Sequence, residues 1–259
     1  MELSEGRHIE MDAESASYLE DILDNLYENW RQIRRETLEQ LGRKEALKII
    51  DFHANNWIDI VRWISSRYGR TEQTNLVLFQ FSRLFKELYW LQFLFHTGNY
   101  PTAYRNLRYI LEMISQAYYI DTRYPALTLD QQIEEARELE EKRIYGWIVI
   151  RSALCKALGK AEQEIQARFK PLWDDLNKYA HPSARQMDWV AEEDFSALVT
   201  DSFNESLAME FLAAIDRVFD IVYAVVLQRF SKAKSVALQH EFLNEWEKHL
   251  PMTISIIRQ

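Results

Sequence analysis

Residues 176–183, with the sequence LNKYAHPS, carry the side chains best suited to chemistry. Lys178, Tyr179 and His181 fall on the last turn of a predicted helix, which Pro182 ends. The imidazole of a histidine changes its protonation near neutral pH, so His181 is a candidate general acid or base. Lys178 and Tyr179 would then donate hydrogen bonds to an anion that develops beside it.

A second polar cluster lies on the fourth predicted helix, where Arg105, Arg108 and Glu112 are spaced by three and four residues and share one face. One interpretation is an internal Arg–Glu pair that fixes helix packing. The other is a cleft in which an arginine binds a phosphate or a carboxylate. His181 also has a structural interpretation, because a neutral imidazole caps helix carbonyls or bonds to a buried carboxylate such as Glu112. Trp189, in a predicted loop, either stacks on a nucleobase or fills the core.

The charge distribution limits the classes of partner. The 259 residues carry 31 Lys and Arg against 40 Asp and Glu, and this net charge of −9 argues against non-specific binding to a nucleic-acid backbone. We therefore expect no DNA partner. Residues 1–30 hold nine acids and one base, whereas residues 31–70 hold nine bases and five acids. The second segment is thus compatible with a local basic face, although solvated helix faces give the same pattern.

The sequence also predicts a cytoplasmic protein without a membrane partner. Its first residues, MELSEG, lack the basic and apolar regions of a secretory signal peptide. The most apolar stretch, residues 76–95, contains Arg83, Lys86 and Glu87, so a buried helix explains it better than a membrane span. Cys155 is the only cysteine of the sequence, which excludes an intrachain disulfide.

The turn-forming residues and the apolar spacing predict an all-α fold. Six glycines and five prolines are few for this length, and no run of alternating apolar and polar residues indicates a strand. The periodicity places helices at about residues 13–41, 43–68, 73–96, 100–121, 129–158, 161–180, 194–230 and 232–249. We therefore predict a bundle of about seven or eight helices, in which an N-terminal helical hairpin (1–70) packs on a main bundle (71–259).

Motifs for metal or nucleotide chemistry are missing from the sequence. Di-iron carboxylate bundles need Glu-x-x-His on two helices, and the only such spacing here joins Glu5 to His8. Glu245 and His249 are four residues apart on the last predicted helix but have no second pair to complete a site. Glycine-rich phosphate loops and nucleophile elbows are also absent. We expect neither a metal nor a cofactor.

The two polar clusters together resemble a known pattern. An apolar helix that bears Arg108 and Glu112, followed by a helix that ends in Tyr-x-His-Pro-Ser at residues 179–183, is similar to uncharacterised helical families related to the HEPN superfamily. The resemblance covers roughly residues 76–230 and implies an HEPN-like core. Many members of that superfamily are RNA-directed toxins or RNA-associated modules. In its active ribonucleases an Arg, four to six intervening residues and a His cleave RNA without a metal, usually across a dimer interface, and His181 is the matching histidine.

The chain departs from that pattern just before the histidine. The three positions where the arginine should stand hold Asp174, Asp175 and Leu176. Two carboxylates are unfavourable where a cation should meet phosphate, and this argues against the usual mechanism.

Three functions follow from these observations. The missing arginine and the acidic charge favour a non-catalytic HEPN-like helical protein that binds a partner or ligand as a homodimer. The first alternative is a metal-independent, RNA-directed nuclease or RNA-binding protein that uses His181 with an arginine of the fourth helix. The second is a helical scaffold or small-molecule binder built on the aromatic-rich third helix, with a pocket lined by Phe79, Tyr89 or Trp90.

Overall fold

The computed structural model describes residues 13–68, 75–141, 146–180, 203–238 and 243–259, and every regular element within these ranges is helical. The bounds of the helices are α1 Ala13–Gln40, α2 Gly42–Arg67, α3 Leu76–His96, α4 Tyr100–Arg123, α5 Leu129–Glu141, α6 Trp147–Leu158, α7 Glu162–Ala180, α8 Glu205–Arg229, α9 Lys234–Ala237, α10 Leu243–His249 and α11 Pro251–Ile257. The all-α prediction is confirmed for these ranges. Their eleven α-helices exceed the predicted seven or eight.

The number of helices is larger than predicted partly because the predicted helix at residues 129–158 is two helices, α5 and α6. Gly146 stands immediately before α6 with φ +73° and ψ −144°, a backbone conformation that is almost restricted to glycine. A helix cannot continue through such a residue, so the chain changes direction there.

The C-terminal part of the chain is also more divided than predicted. The long helix that was expected from residue 194 begins at Glu205, because the Asn204 side chain accepts the N–H of Leu207 at 3.0 Å as a helix cap. Residues 194–202 lie outside the described ranges. The helix predicted at 232–249 is replaced by a 3₁₀ turn (Ser231–Ala233), α9 and α10. The residues from Pro251 to Ile257, where no helix was predicted, form α11.

Helices α4 and α8 occupy the centre of the bundle. Helix α4 packs against α3, α5, α6, α7 and α8, while α8 also contacts α2, α10 and α11. Seven apolar residues at helical spacing form the buried face of α8: Phe211, Leu212, Ile215, Val218, Phe219, Val222 and Val226. Helix α3, which the sequence predicts to be buried, instead leaves five large aromatic side chains exposed: Phe79, Phe85, Tyr89, Trp90 and Phe93.

Asp216 on α8 connects three helices through its two carboxylate oxygens. One oxygen lies 2.9 Å from Nε2 of His53 on α2, and the other lies 2.9 Å from Nδ1 of His249 on α10. Burial alone would raise the pKa of Asp216, but the hydrogen bonds to the two imidazoles outweigh it and lower the pKa. The carboxyl is therefore ionised, and both rings donate to it.

Asp220, one turn further along α8, holds the start of α11. Its carboxylate oxygens accept the backbone N–H groups of Met252 at 2.9 Å and Thr253 at 2.7 Å, and the Thr253 hydroxyl at 2.8 Å. Burial raises the pKa of Asp220, while the hydrogen bonds from Thr253 and Met252 act in the opposite direction. These bonds satisfy donors that the first turn of a helix otherwise leaves unpaired.

None of the helices in the described ranges combines the length and the apolar character needed to cross a bilayer.

Candidate functional site

Arg108 and Glu112 form an internal ion pair on α4. The Glu112 Oε1 atom lies 3.1 Å from Nη2 and 3.3 Å from Nε of Arg108. The guanidinium group also lies over the ring of Trp173 on α7, with its carbon 4.8 Å from the ring centroid. The two charged side chains are only 19% and 28% exposed. The positive charge of Arg108 is therefore already balanced by a carboxylate and an aromatic face.

A cavity of about 460 Å³ opens beside this pair, between α3, α4 and the start of α6. Glu112 and Arg83 contribute opposite charges to its lining, and Arg83 donates to the Gln80 side chain at 3.2 Å. Because the lining charges have opposite signs, this cavity selects weakly between anions and cations.

The remaining predicted residues do not join the Arg108 pair in the described ranges. Arg105 is exposed on α4. Lys178 donates to Asp175 at 2.6 Å, and it lies five residues beyond Trp173 on α7, about 7.5 Å further along the helix axis. Three predicted groups lie outside the described residues: His181, Trp189 and the side chain of Tyr179.

A larger open cleft, of about 740 Å³, lies between α1 and α3. We call it the aromatic–arginine cleft, and its lining consists of Tyr27, Trp30, Arg31, Arg34 and Leu38 from α1 with Tyr89, Gln92, Phe93, His96 and Thr97 from α3 and its cap. Four aromatic rings and two arginines belong to this lining, which contains no acidic residue.

The aromatic rings of the cleft are held by one another. The ring centroids of Trp30 and Phe93 are 6.1 Å apart in an edge-to-face arrangement, and Tyr27 meets Trp30 in the same way at 5.6 Å. Trp90 stacks on Phe93 at 5.2 Å. Nevertheless Tyr89 remains 62% exposed and Phe93 44% exposed. The cleft thus presents preformed aromatic surface to solvent.

Two polar side chains at one end of the cleft keep hydrogen-bonding capacity. Arg34 makes no ion pair in the part of the chain that the structure describes, whereas Arg31 pairs with Glu28 at 3.3 Å. The Nδ1 atom of His96 is buried and has no hydrogen-bond partner among the described residues. Burial, and secondarily the charge of Arg34, lowers the pKa of His96. Its imidazole is therefore neutral near pH 7.

The sequence indicated this cleft only in part. Tyr89 was a candidate pocket residue, and the excess of bases after residue 30 was compatible with a basic face. Trp30 belongs to the apolar stripe of α1, which predicts burial in the core rather than a position beside solvent. His96 carries no local signal, because its role depends on the neighbouring helix.

Within the described ranges, no group of three or more His, Cys, Asp or Glu side chains is arranged to hold a metal ion.

Comparison of the chain with family models, with curated proteins and with solved structures gives no match. The fold and the site define an all-α bundle with an open aromatic–arginine cleft on one face. Membership of the HEPN superfamily stays a prediction from two short motifs.

Proposed function

We propose that this protein acts by binding a small planar molecule in the aromatic–arginine cleft rather than by catalysis. The observation that carries the proposal is the cleft itself, whose lining combines exposed aromatic rings with Arg34, an arginine that has no ion-pair partner in the described part of the chain. The proposal combines the expected non-catalytic binding protein with the expected pocket on the aromatic-rich third helix.

The size and chemistry of the cleft support this function. Its volume of about 740 Å³ falls in the range of small-molecule sites, which are mostly apolar with a few placed polar groups. The rings of Trp30 and Phe93 are fixed by their neighbours, so a flat ligand would find a surface that needs little reorganisation.

The RNA-directed alternative has less support from the described residues. It requires an arginine of the fourth helix to meet phosphate, and Arg108 is engaged by Glu112 and Trp173. Its histidine, His181, lies outside the described ranges. The HEPN-like core, the homodimer and an RNA or protein partner remain predictions from the sequence.

The test is to titrate 2-naphthamide, an uncharged planar probe, into the purified protein and to follow binding by ligand-observed NMR. We expect saturable binding that weakens about three- to tenfold in Phe93→Ser, because one aromatic contact is removed.

Phe79→Ser is the matched control for this experiment. Phe79 is 41% exposed on the same helix but does not line the cleft, so its substitution should leave the affinity unchanged. Absence of saturable binding, or equal weakening by both substitutions, would show that the cleft is not the binding site.

A further inference from the structure

Resting on the proposed function, we infer that the ligand of the aromatic–arginine cleft is an aromatic anion of the aryl-carboxylate class. Its ring lies against Trp30 and Phe93, and its carboxylate lies against the guanidinium group of Arg34. The inference follows from three observations. These are the positive charge of the cleft lining, the lack of an ion-pair partner for Arg34 in the described residues, and the spacing between the aromatic rings and Arg34.

The charge of the lining selects a negative ligand. The protein as a whole is acidic, with a net charge of −9, yet the residues that line this cleft include two arginines and no acid. Glu28 lies outside the lining and pairs with Arg31 at 3.3 Å and with Arg35 at 3.6 Å. Arg34 has no such carboxylate in the described part of the chain, so a ligand carboxylate would supply the missing partner.

The groups near Arg34 leave room for this role. The last carbonyl groups of α3 already accept backbone N–H groups, from Thr97 to Phe93 at 3.0 Å and from Asn99 to Leu94 at 3.0 Å. In the described part of the chain, the Arg34 side chain makes no hydrogen bond to these carbonyl groups. The Nδ1 atom of His96 is buried, so Arg34 is the donor that a ligand carboxylate in the cleft would meet.

The spacing of the groups fits an aryl carboxylate. Trp30 on α1 faces Phe93 on α3, and Arg34 on α1 acts electrostatically on His96 of α3. Along each helix the polar residue follows the aromatic one by three or four positions, a rise of about 4.5–6 Å. A ligand ring beside Trp30 and Phe93 therefore places a directly attached carboxylate close to Arg34.

The experiment compares the binding of 2-naphthoate with that of its uncharged match, 2-naphthamide, to the full chain. We expect 2-naphthoate to bind about tenfold more tightly, because only it forms the charge-assisted contact. In Arg34→Gln this advantage should disappear, while the affinity for 2-naphthamide stays unchanged.

Arg35→Gln is the matched control. Arg35 neighbours Arg34 on the same exposed helix and carries the same charge, but it does not line the cleft. Its substitution should preserve the tenfold preference for 2-naphthoate. This result would distinguish a direct contact between Arg34 and the carboxylate from a general effect of lost positive charge. Equal melting temperatures of the two variants would show that both remain folded.

Three results would overturn the inference. Equal affinities for the two probes in the wild-type protein would leave the proposed binding function intact but remove the anion. Equal effects of the two arginine substitutions would assign the preference to overall charge. A dimer in light scattering that Tyr89→Ser converts to a monomer, together with no probe binding, would show that a second copy of the chain covers the cleft. In that last case the proposed function fails as well.

Discussion

Asp216 shows how much of the packing depends on a single side chain. It bonds His53 and His249, which come from helices far apart in the sequence, and His53 is fully buried. Burial lowers the pKa of His53, although the hydrogen bond and the charge of Asp216 act in the opposite direction. Removing either partner would leave a polar group without its hydrogen bond in the interior.

We expect the stability of the protein to fall as the pH drops below about 6.5, the ordinary pKa of histidine. The pKa of His53 in the folded protein lies below that value, so the unfolded chain binds the proton first and is favoured by acid. Asp216 adds to this loss only below its own ordinary pKa of 3.8, because its folded pKa is lowered. In His53→Gln, urea unfolding between pH 7.5 and pH 5 should show a weaker dependence on pH.

His96→Gln serves as the comparison for this measurement, because burial also lowers the pKa of His96. It should remove a separate part of the pH dependence, and the double variant should show the sum of both changes. An unchanged slope in His53→Gln would mean that His53 does not carry the effect.

At the scale of elements, the junction between α5 and α6 depends on Gly146. Its backbone angles are almost restricted to glycine, whereas a Cβ atom would meet only ordinary contacts, 3.7 Å from Trp173 and 4.0 Å from Glu112. We therefore expect Gly146→Asn to lower the free energy of unfolding by about 1–3 kcal/mol through backbone strain alone. Chemical denaturation of both proteins measures this difference.

Gly159→Asn provides a control with the opposite expectation. Gly159 caps α6 in the left-handed helical region, at φ +60° and ψ +29°, which asparagine also adopts, and no atom lies within 4 Å of an added Cβ. Its substitution should change stability by less than about 1 kcal/mol. Similar losses in both variants would contradict the assignment of strain to Gly146.

Helix ends were predictable where a local residue defines them. Helix α4 begins at Tyr100 as predicted, since Pro101 occupies the first turn and the Asn99 side chain accepts the N–H of Thr102 at 3.2 Å. The break at Gly146 was missed because the apolar periodicity continues past it, and an isolated glycine is often tolerated within a helix. Asn204 offered a recognisable capping signal that periodicity also obscured.

At the scale of the whole molecule, sequence periodicity identifies the apolar stripes of the helices. It does not show which stripe remains exposed because no other helix packs against it. Trp30 and Phe93 both belong to the apolar stripes of their helices, and their contact across the cleft joins residues 63 positions apart. The pairing of Arg108 with Glu112 could be predicted, because four residues separate them on one helix. The contacts of Asp216 could not, since only the tertiary fold brings its partners together.

We expect the purified protein to leave structured RNA intact in the presence of EDTA. Its net charge of −9 disfavours the RNA backbone, and Arg108, one of the two arginines predicted to meet phosphate, is paired with Glu112. Gel analysis of the RNA after incubation with wild-type protein and His181→Ala measures this, with added pancreatic ribonuclease showing that the RNA is cleavable. Cleavage by the wild type that His181→Ala abolishes would establish the nuclease instead.

The carboxylate of Asp220 has a consequence for how the molecule opens. The first amides of a helix normally exchange their hydrogens with solvent early, because nothing within the helix protects them. Those of Met252 and Thr253 are instead bonded to a buried side chain of the central helix. Deuterium can reach them only when α11 separates from α8. Exchange at the first turn of α11 therefore reports the separation of this helix from the core.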